Sequence, residues 1–283
     1  PLKPSVLVHP VQQILLWRPP WDEVAAPREI PILHEDDHLL AVVKPPLVAV
    51  HPTARYHKNT LIKLLQAARP DCPFLSLGHR LDRETSGVIL LSKTHECDRA
   101  LKRQLEARDG IDKGYVAFTW GVPDRGDGAA SFLFERRMEL DRTHPLGIKM
   151  RIRDAPDALY SATQIDVKTV RRGPNGRVYA EVHCGLLTGR QHQIRLHLAA
   201  LGAAVVGDKL YGLDDAIFRR AADGELTADD EIQLEMPRHA LHAARLSLAH
   251  PVTGTPLELE APLPADMRDF WASLDAGVAA TAG

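Results

Sequence analysis

The chain has 283 residues, 45% hydrophobic and 25% charged, with a formal net charge of −2; that allows a sizeable core in one elongated domain or two small ones. The near-neutral balance excludes a globally basic nucleic-acid binder, so any basic surface is local. Cys72, Cys97 and Cys184 form no CxxC pair and no complete disulfide framework, and the longest apolar runs fall far short of the roughly 18 residues of a membrane span; the expectation is a protein of the reducing cytoplasm, neither exported nor membrane-embedded.

Residues 1–30 are rich in proline and carry Trp17 and Trp21 without a sustained period, which reads as an extended arm. The main domain is expected over residues 31–270. It opens with "ILHEDDHLLAVVK", two short β-rich runs joined by an acidic turn and ended by Pro45 and Pro46. Asn59 or Thr60 is placed to cap a helix whose Leu61, Leu64 and Leu65 share a face. The stretch "GHRLDRETSG" follows, then an apolar run, then a helix with Cys97, Ala100, Leu101 and Leu105 on one side and Arg99, Lys102 and Arg103 on others. Asp109-Gly110 ends it.

"KGYVAFTWG" alternates as a strand, with Val116, Phe118 and Trp120 on one face and Lys113, Tyr115 and Ala117 on the other. "VYAEVHCGLL" is a further strand. "TGRQHQIRLHLAALG" reads as a helix with Thr188 and Gln191 at capping-box spacing, Ile194, Leu198 and Leu201 toward the core, and Gly202 as its stop. "VVGDKLYG" reads as strand plus turn, "ELTADDEIQLEM" as an acidic helical insertion, and "HALHAARLSLAHPVTGTPLELEAPLP" as a hairpin around Pro251 to Pro256. Residues 271–283 are expected to fray. Irregular alternation and recurrent hairpin signals favour an α+β fold with a mixed, largely antiparallel sheet and flanking helices over a doubly wound one.

Asp82 lies between Arg80 and Arg83. One reading is a surface turn in which either arginine pairs with it, a contact worth roughly 0–1 kcal/mol. The other is a lone catalytic carboxylate held ionised by a guanidinium. That reading needs partners from elsewhere in the chain, for which Arg195 and Tyr115 are candidates.

The blocks "HRLDRETSGVILLSKT", "KGYVAFTWG", "TGRQHQIRLHL", "GDKLYG" and "LHAARLSLAHPVTG", in this order, resemble the RluA-type family of RNA pseudouridine synthases. The resemblance runs from "ILHEDDHLLAVVKPP" to "APLPADM" and implies a central cleft that binds RNA, ribosomal or transfer, with no metal, organic cofactor or protein partner. It implies further that Asp82 is essential for isomerising uridine, that Arg80 enters the RNA stack where the target uridine flips out, that Tyr115 stacks on the uracil, and that Arg195 pairs with Asp82. Gln191 departs from the residue often found at its place in GR-x-HQIR.

Two alternatives stand beside this. A metal-dependent hydrolase is suggested by the 14 histidines, but His192 and His197 are five apart and lack the i, i+4 spacing of H-E-x-x-H. A catalytically silent RNA-binding protein has no use for an acid facing phosphates. Arg55, Lys58, Arg80, Arg83, Arg99, Lys102 and Arg103 supply the local basicity expected to contact RNA.

Overall fold

The computed structural model describes residues 9, 13, 23–27, 29–53, 56–108, 110–174 and 176–275. Most of the expected N-terminal arm, with Trp17 and Trp21, lies outside them, as do Arg55, Asp109 and residues 276–283. Eleven strands among the described residues join in one sheet. They are β1 (Ile32–Glu35), β2 (Leu39–Lys44), β3 (Ser76–Leu77), β4 (Ser86–Ser92), β5 (Asp112–Trp120), β6 (Ser131–Leu140), β7 (Met150–Ile152), β8 (Leu159–Arg172), β9 (Val178–Leu186), β10 (Leu241–Ala249) and β11 (Pro256–Glu260). The order is β1-β2-β4-β10-β5-β9-β8-β6-β7, with β11 on β10 and β3 on β4. Every pairing is antiparallel except β4 with β10, so the sheet is of the mixed, largely antiparallel kind.

β2 and β4 are apolar on both faces because both faces are covered. Leu40, Val42, Ile89 and Leu91 enter the main core with Leu61 and Leu65 of α1 (Leu61–Ala68). Leu39, Ala41, Val88 and Leu90 meet Cys97 and Leu101 of α2 (His95–Ala107) on the other side. Thr94 caps α2 by accepting the Cys97 N–H at 3.2 Å. The parallel junction is short, pairing His242 with Ser86 and Ala243 with Gly87. Gly87 has φ +117, and a Cβ there would lie 2.1 Å from the Ala243 carbonyl oxygen, so only glycine permits this contact.

Several expectations change. β5 is a central strand, not half-exposed: Tyr115, Ala117 and Phe118 all enter the main core. Thr60 starts α1 by its backbone alone, without a side-chain cap. The capping box of Thr188 and Gln191 does not form, because α3 (Gln193–Ala200) begins later, at a left-handed His192 with φ 55. Thr188 instead donates to Gln193 Oε1 at 2.6 Å and accepts the Ala162 N–H at 3.0 Å. α3 is buried nearly all round rather than on one face. Gly202 does follow it with a positive φ of 72.

"VVGDKLYG" forms turns and one bridge, Val205 to Thr119, not a strand. The acidic stretch is α5 (Ala228–Leu234), with a capping box of Thr227 and Asp230. The hairpin of β10 and β11 is as expected. The hairpin of β6 and β8, α4 (Asp215–Asp223) and α6 (Ala265–Ala272) were not anticipated. Phe132, Phe134 and Met138 on β6 are buried at alternating positions, which is the period-two signal that identifies the strand in retrospect.

Candidate active site

The "HRLDRE" loop enters β4 at the parallel junction, and buried cations shape it from beneath. Lys44 is fully buried, and its Nζ donates to the carbonyls of Pro45 and Val48 at 2.8 Å and of Arg83 at 3.0 Å. Burial pushes its pKa down to about 7. The Glu84 carboxylate accepts from Lys209 Nζ and the His239 N–H, both at 3.0 Å. Buried Arg238 reaches the Glu84 carbonyl at 3.2 Å. The loop's backbone is therefore set by long-range partners, which leaves Asp82 free to face a cleft of about 400 Å³.

Arg195, on α3, donates from Nη1 to Asp82 Oδ2 at 2.9 Å. Its other edge grips Asp208 with Nε at 2.7 Å and Nη2 at 2.8 Å. Asp208 is fully buried and also accepts the N–H groups of Leu210 and Tyr211 at 2.8 and 3.1 Å. A fork held on one side by a fixed carboxylate has one direction left for Nη1, toward Asp82.

Burial opposes the Asp82 anion, but the Arg195 guanidinium outweighs it and holds the carboxyl below its ordinary range. Oδ1 lies 4.0 Å from His192 Nε2. Nδ1 of His192 is hydrogen-bonded to the Tyr211 hydroxyl at 3.0 Å. Burial and Arg195 push the His192 pKa down to about 4, so the ring is neutral at pH 7.

The structure brings together all four residues singled out in the sequence. Tyr115 lines the cleft from the central strand and is 9% exposed; burial first, then the Asp82 charge, raises its pKa. Arg80 is exposed on the cleft rim. Arg83 does not pair with Asp82: its guanidinium lies over the Tyr56 ring at 5.5 Å and near Glu84 at 3.6 Å.

Of the described basic residues expected to contact RNA, Arg80 and Arg83 line the cleft. Arg99, Lys102 and Arg103 belong to α2, which packs on the sheet's other face, and Lys102 is tied to Asp98 at 2.8 Å. The residue that sequence reasoning missed is Asp208; its signal was a lone acid between glycine and an apolar turn in "VVGDKLYG".

The histidines do not form a metal centre with Asp82. His197 is bonded to Ser161 at 2.9 Å, away from His192. Among the described residues the group of metal-capable side chains is His34, Asp36 and His250, none of which lines the cleft. His250 Nδ1 accepts two N–H bonds, from Val252 at 3.2 Å and Thr253 at 3.1 Å. That tautomer carries its proton on Nε2, facing Asp36, where a metal would need a lone pair.

Residues 38–200 match the family model described as RNA pseudouridylate synthase. The chain is 36% identical over 256 residues to the ribosomal large subunit pseudouridine synthase D of Xanthomonas campestris pv. campestris, covering 88% of this chain and 71% of that one. It is 32% identical over 271 residues to the protein of the same name from Pseudomonas aeruginosa, with 94% and 79% covered. Among solved structures, human RNA pseudouridylate synthase domain containing 1 has the same fold, with a TM-score of 0.69 at 22% identity over 91% of this chain and 93% of that one.

Proposed function

Because this chain belongs to the RNA pseudouridylate synthase family, of the RluA type, and is an RNA pseudouridine synthase, we propose that it isomerises uridines of large-subunit ribosomal RNA, with Asp82 as its catalytic carboxylate. The relatives named for the ribosomal large subunit support ribosomal rather than transfer RNA. The observation that carries the residue assignment is the Asp82 carboxylate, with Oδ2 engaged by Arg195 and Oδ1 left facing the cleft.

The reaction breaks the N1–C1′ bond, turns the uracil and rejoins it through C5. The target carbon is accessible only once the nucleotide leaves its stack. Arg80, exposed on the rim, is suited to fill the space the base vacates. Tyr115 offers a ring face that grips the uracil, at roughly 1–3 kcal/mol, without holding the edges that must rotate. Oδ1 of Asp82 is then the oxygen available to attack sugar or base, or to take a sugar proton. Each route needs it ionised, which Arg195 secures.

The test is tritium release from [5-³H]uridine-labelled transcripts. Unmodified large-subunit ribosomal RNA is expected to release tritium and a transfer RNA pool is not. Release from the transfer RNA alone overturns the choice of substrate. The reading places the enzyme in the cytoplasm, and no described helix is long and apolar enough to cross a membrane.

A further inference from the structure

The catalytic cleft is not the largest concavity. A groove of about 1330 Å³ lies on the sheet face that carries α2, beside Leu105 and Ala261 of that side's core. Its floor is unusual, because Gly114 of β5 and Gly185 of β9 are paired directly across the strands. With no Cβ on either, the floor is low there, and the side chains of Arg245 and Gln164 flank it within 3.4 and 3.3 Å of where a Cβ would stand. Groove and cleft meet at a common rim of Lys113, Tyr115, Leu186, Gly189 and Arg190.

Two cations, Lys113 and Arg190, stand at this junction. Lys113 is half-buried, and no side chain or carbonyl of the described residues pairs with its ammonium. Burial and the Arg108 guanidinium push its pKa down to about 8, so it is still charged at pH 7. Arg190 spends its Nε on the Tyr160 carbonyl at 3.0 Å, and burial and the same Arg108 lower its pKa. All three cations line the one groove. Of the four acids that line the groove, Asp112 pairs with Arg245, Asp166 accepts from Ser131 at 2.5 Å and Gln164 at 3.1 Å, and Glu106 and Glu260 lie on its α2 and β11 sides. Lys113 and Arg190 both lie in the field of the Arg108 guanidinium, and a bound anion would relieve that repulsion.

We propose that Arg108, Lys113 and Arg190 form a phosphodiester-binding site for the RNA strand flanking the target uridine, which crosses the rim here from the catalytic cleft into the glycine-floored groove. This rests on the reading of the cleft as the uridine site. Continuity of the two concavities identifies the occupant as the same RNA, and the charge identifies the phosphate as the group that docks. The groove then offers its glycine floor to the nucleotides beyond.

The test compares wild type with Lys113→Met and Arg108→Gln, using an unmodified large-subunit ribosomal RNA transcript in filter binding between 0.1 and 0.4 M KCl (concentrations about those at which counterion release is steep). Each variant is expected to bind several-fold more weakly and to lower the slope of log Kobs against log salt by about 0.7–0.9. The loss in turnover should fall mainly on KM. Arg108 is an exposed residue at the C-terminus of α2, so its variant keeps the test valid if Lys113→Met fails to fold. Unchanged slopes in a wild type that still forms pseudouridine overturn this site alone. A wild type that forms none overturns the functional reading, while the slopes still decide whether these cations hold phosphate. A fall in kcat with binding intact also overturns the proposal.

Discussion

Arg195 serves two carboxylates, and the consequences of changing it differ from those of a simple ion pair. Asp82→Asn keeps shape but removes the anion. Turnover is expected to fall by at least about 10³-fold, while RNA binding holds or tightens, since one negative charge facing phosphates is gone; single-turnover assays with parallel binding measurements check this. Arg195→Met would leave Asp208, fully buried, without its cation, at about 3–5 kcal/mol. Arg195→Lys is the better probe because it keeps the charge and loses the fork. In the proposed mechanism Asp82 acts as the anion, and its pKa is lowered in the folded protein, so the acid limb of the wild-type pH–rate profile should lie below the ordinary carboxylate range. In Arg195→Lys the anion is less favoured, the pKa rises, and the limb should move to higher pH. An unmoved limb means that Asp82 does not titrate in turnover. The pairing of Asp82 with Arg195 was legible through family resemblance, but nothing local to "QIR" indicates that Asp208 aims the guanidinium.

The elements deliver these side chains through one tight junction. β4 and β10 touch in parallel for two residue pairs, with the loop that carries Asp82 immediately before Ser86. Gly87→Ala introduces a Cβ that would meet the Ala243 carbonyl at 2.1 Å in a backbone conformation that disfavours side chains. Strain and overpacking together predict a loss of about 3 kcal/mol or more, read as a lower midpoint in urea with the slope unchanged. Strands with strict periodicity and the β10–β11 hairpin were readable because their signals are local. The start of α3 was not: Thr188 had a capping residue's chemistry, but Gln193 and the Ala162 backbone of β8 compete for its hydroxyl, and they win because both are buried.

Over the whole molecule, the buried histidines set the response to acid. Burial lowers His79 to about 3 and His192, His197 and His239 to about 4. Each therefore binds its proton more readily when unfolded, with a pKa near 6.5, so the stability they confer is full above that value and is lost as pH falls from 6.5 toward 4. Calorimetry should show Tm falling on the order of 10 °C between pH 7 and pH 4.5; a flat Tm means that these rings are open to protonation in the folded state. By itself the sequence determined the α+β class, the family resemblance, and the identity of Asp82, Arg80, Tyr115 and Arg195 as the residues to watch, because periodicity, turn chemistry and short motifs are local properties of the chain. Which cations reach the cleft, which acid holds Arg195, and where a second groove opens were decided only by tertiary structure. Arg99 and Lys102 look as basic as Lys113 in the sequence, yet α2 carries them away while Lys113 is held at the rim. Electrostatic partnership depends on distance and burial in space, and a sheet that pairs β5 with β9 and β10 sets both between residues far apart in the chain.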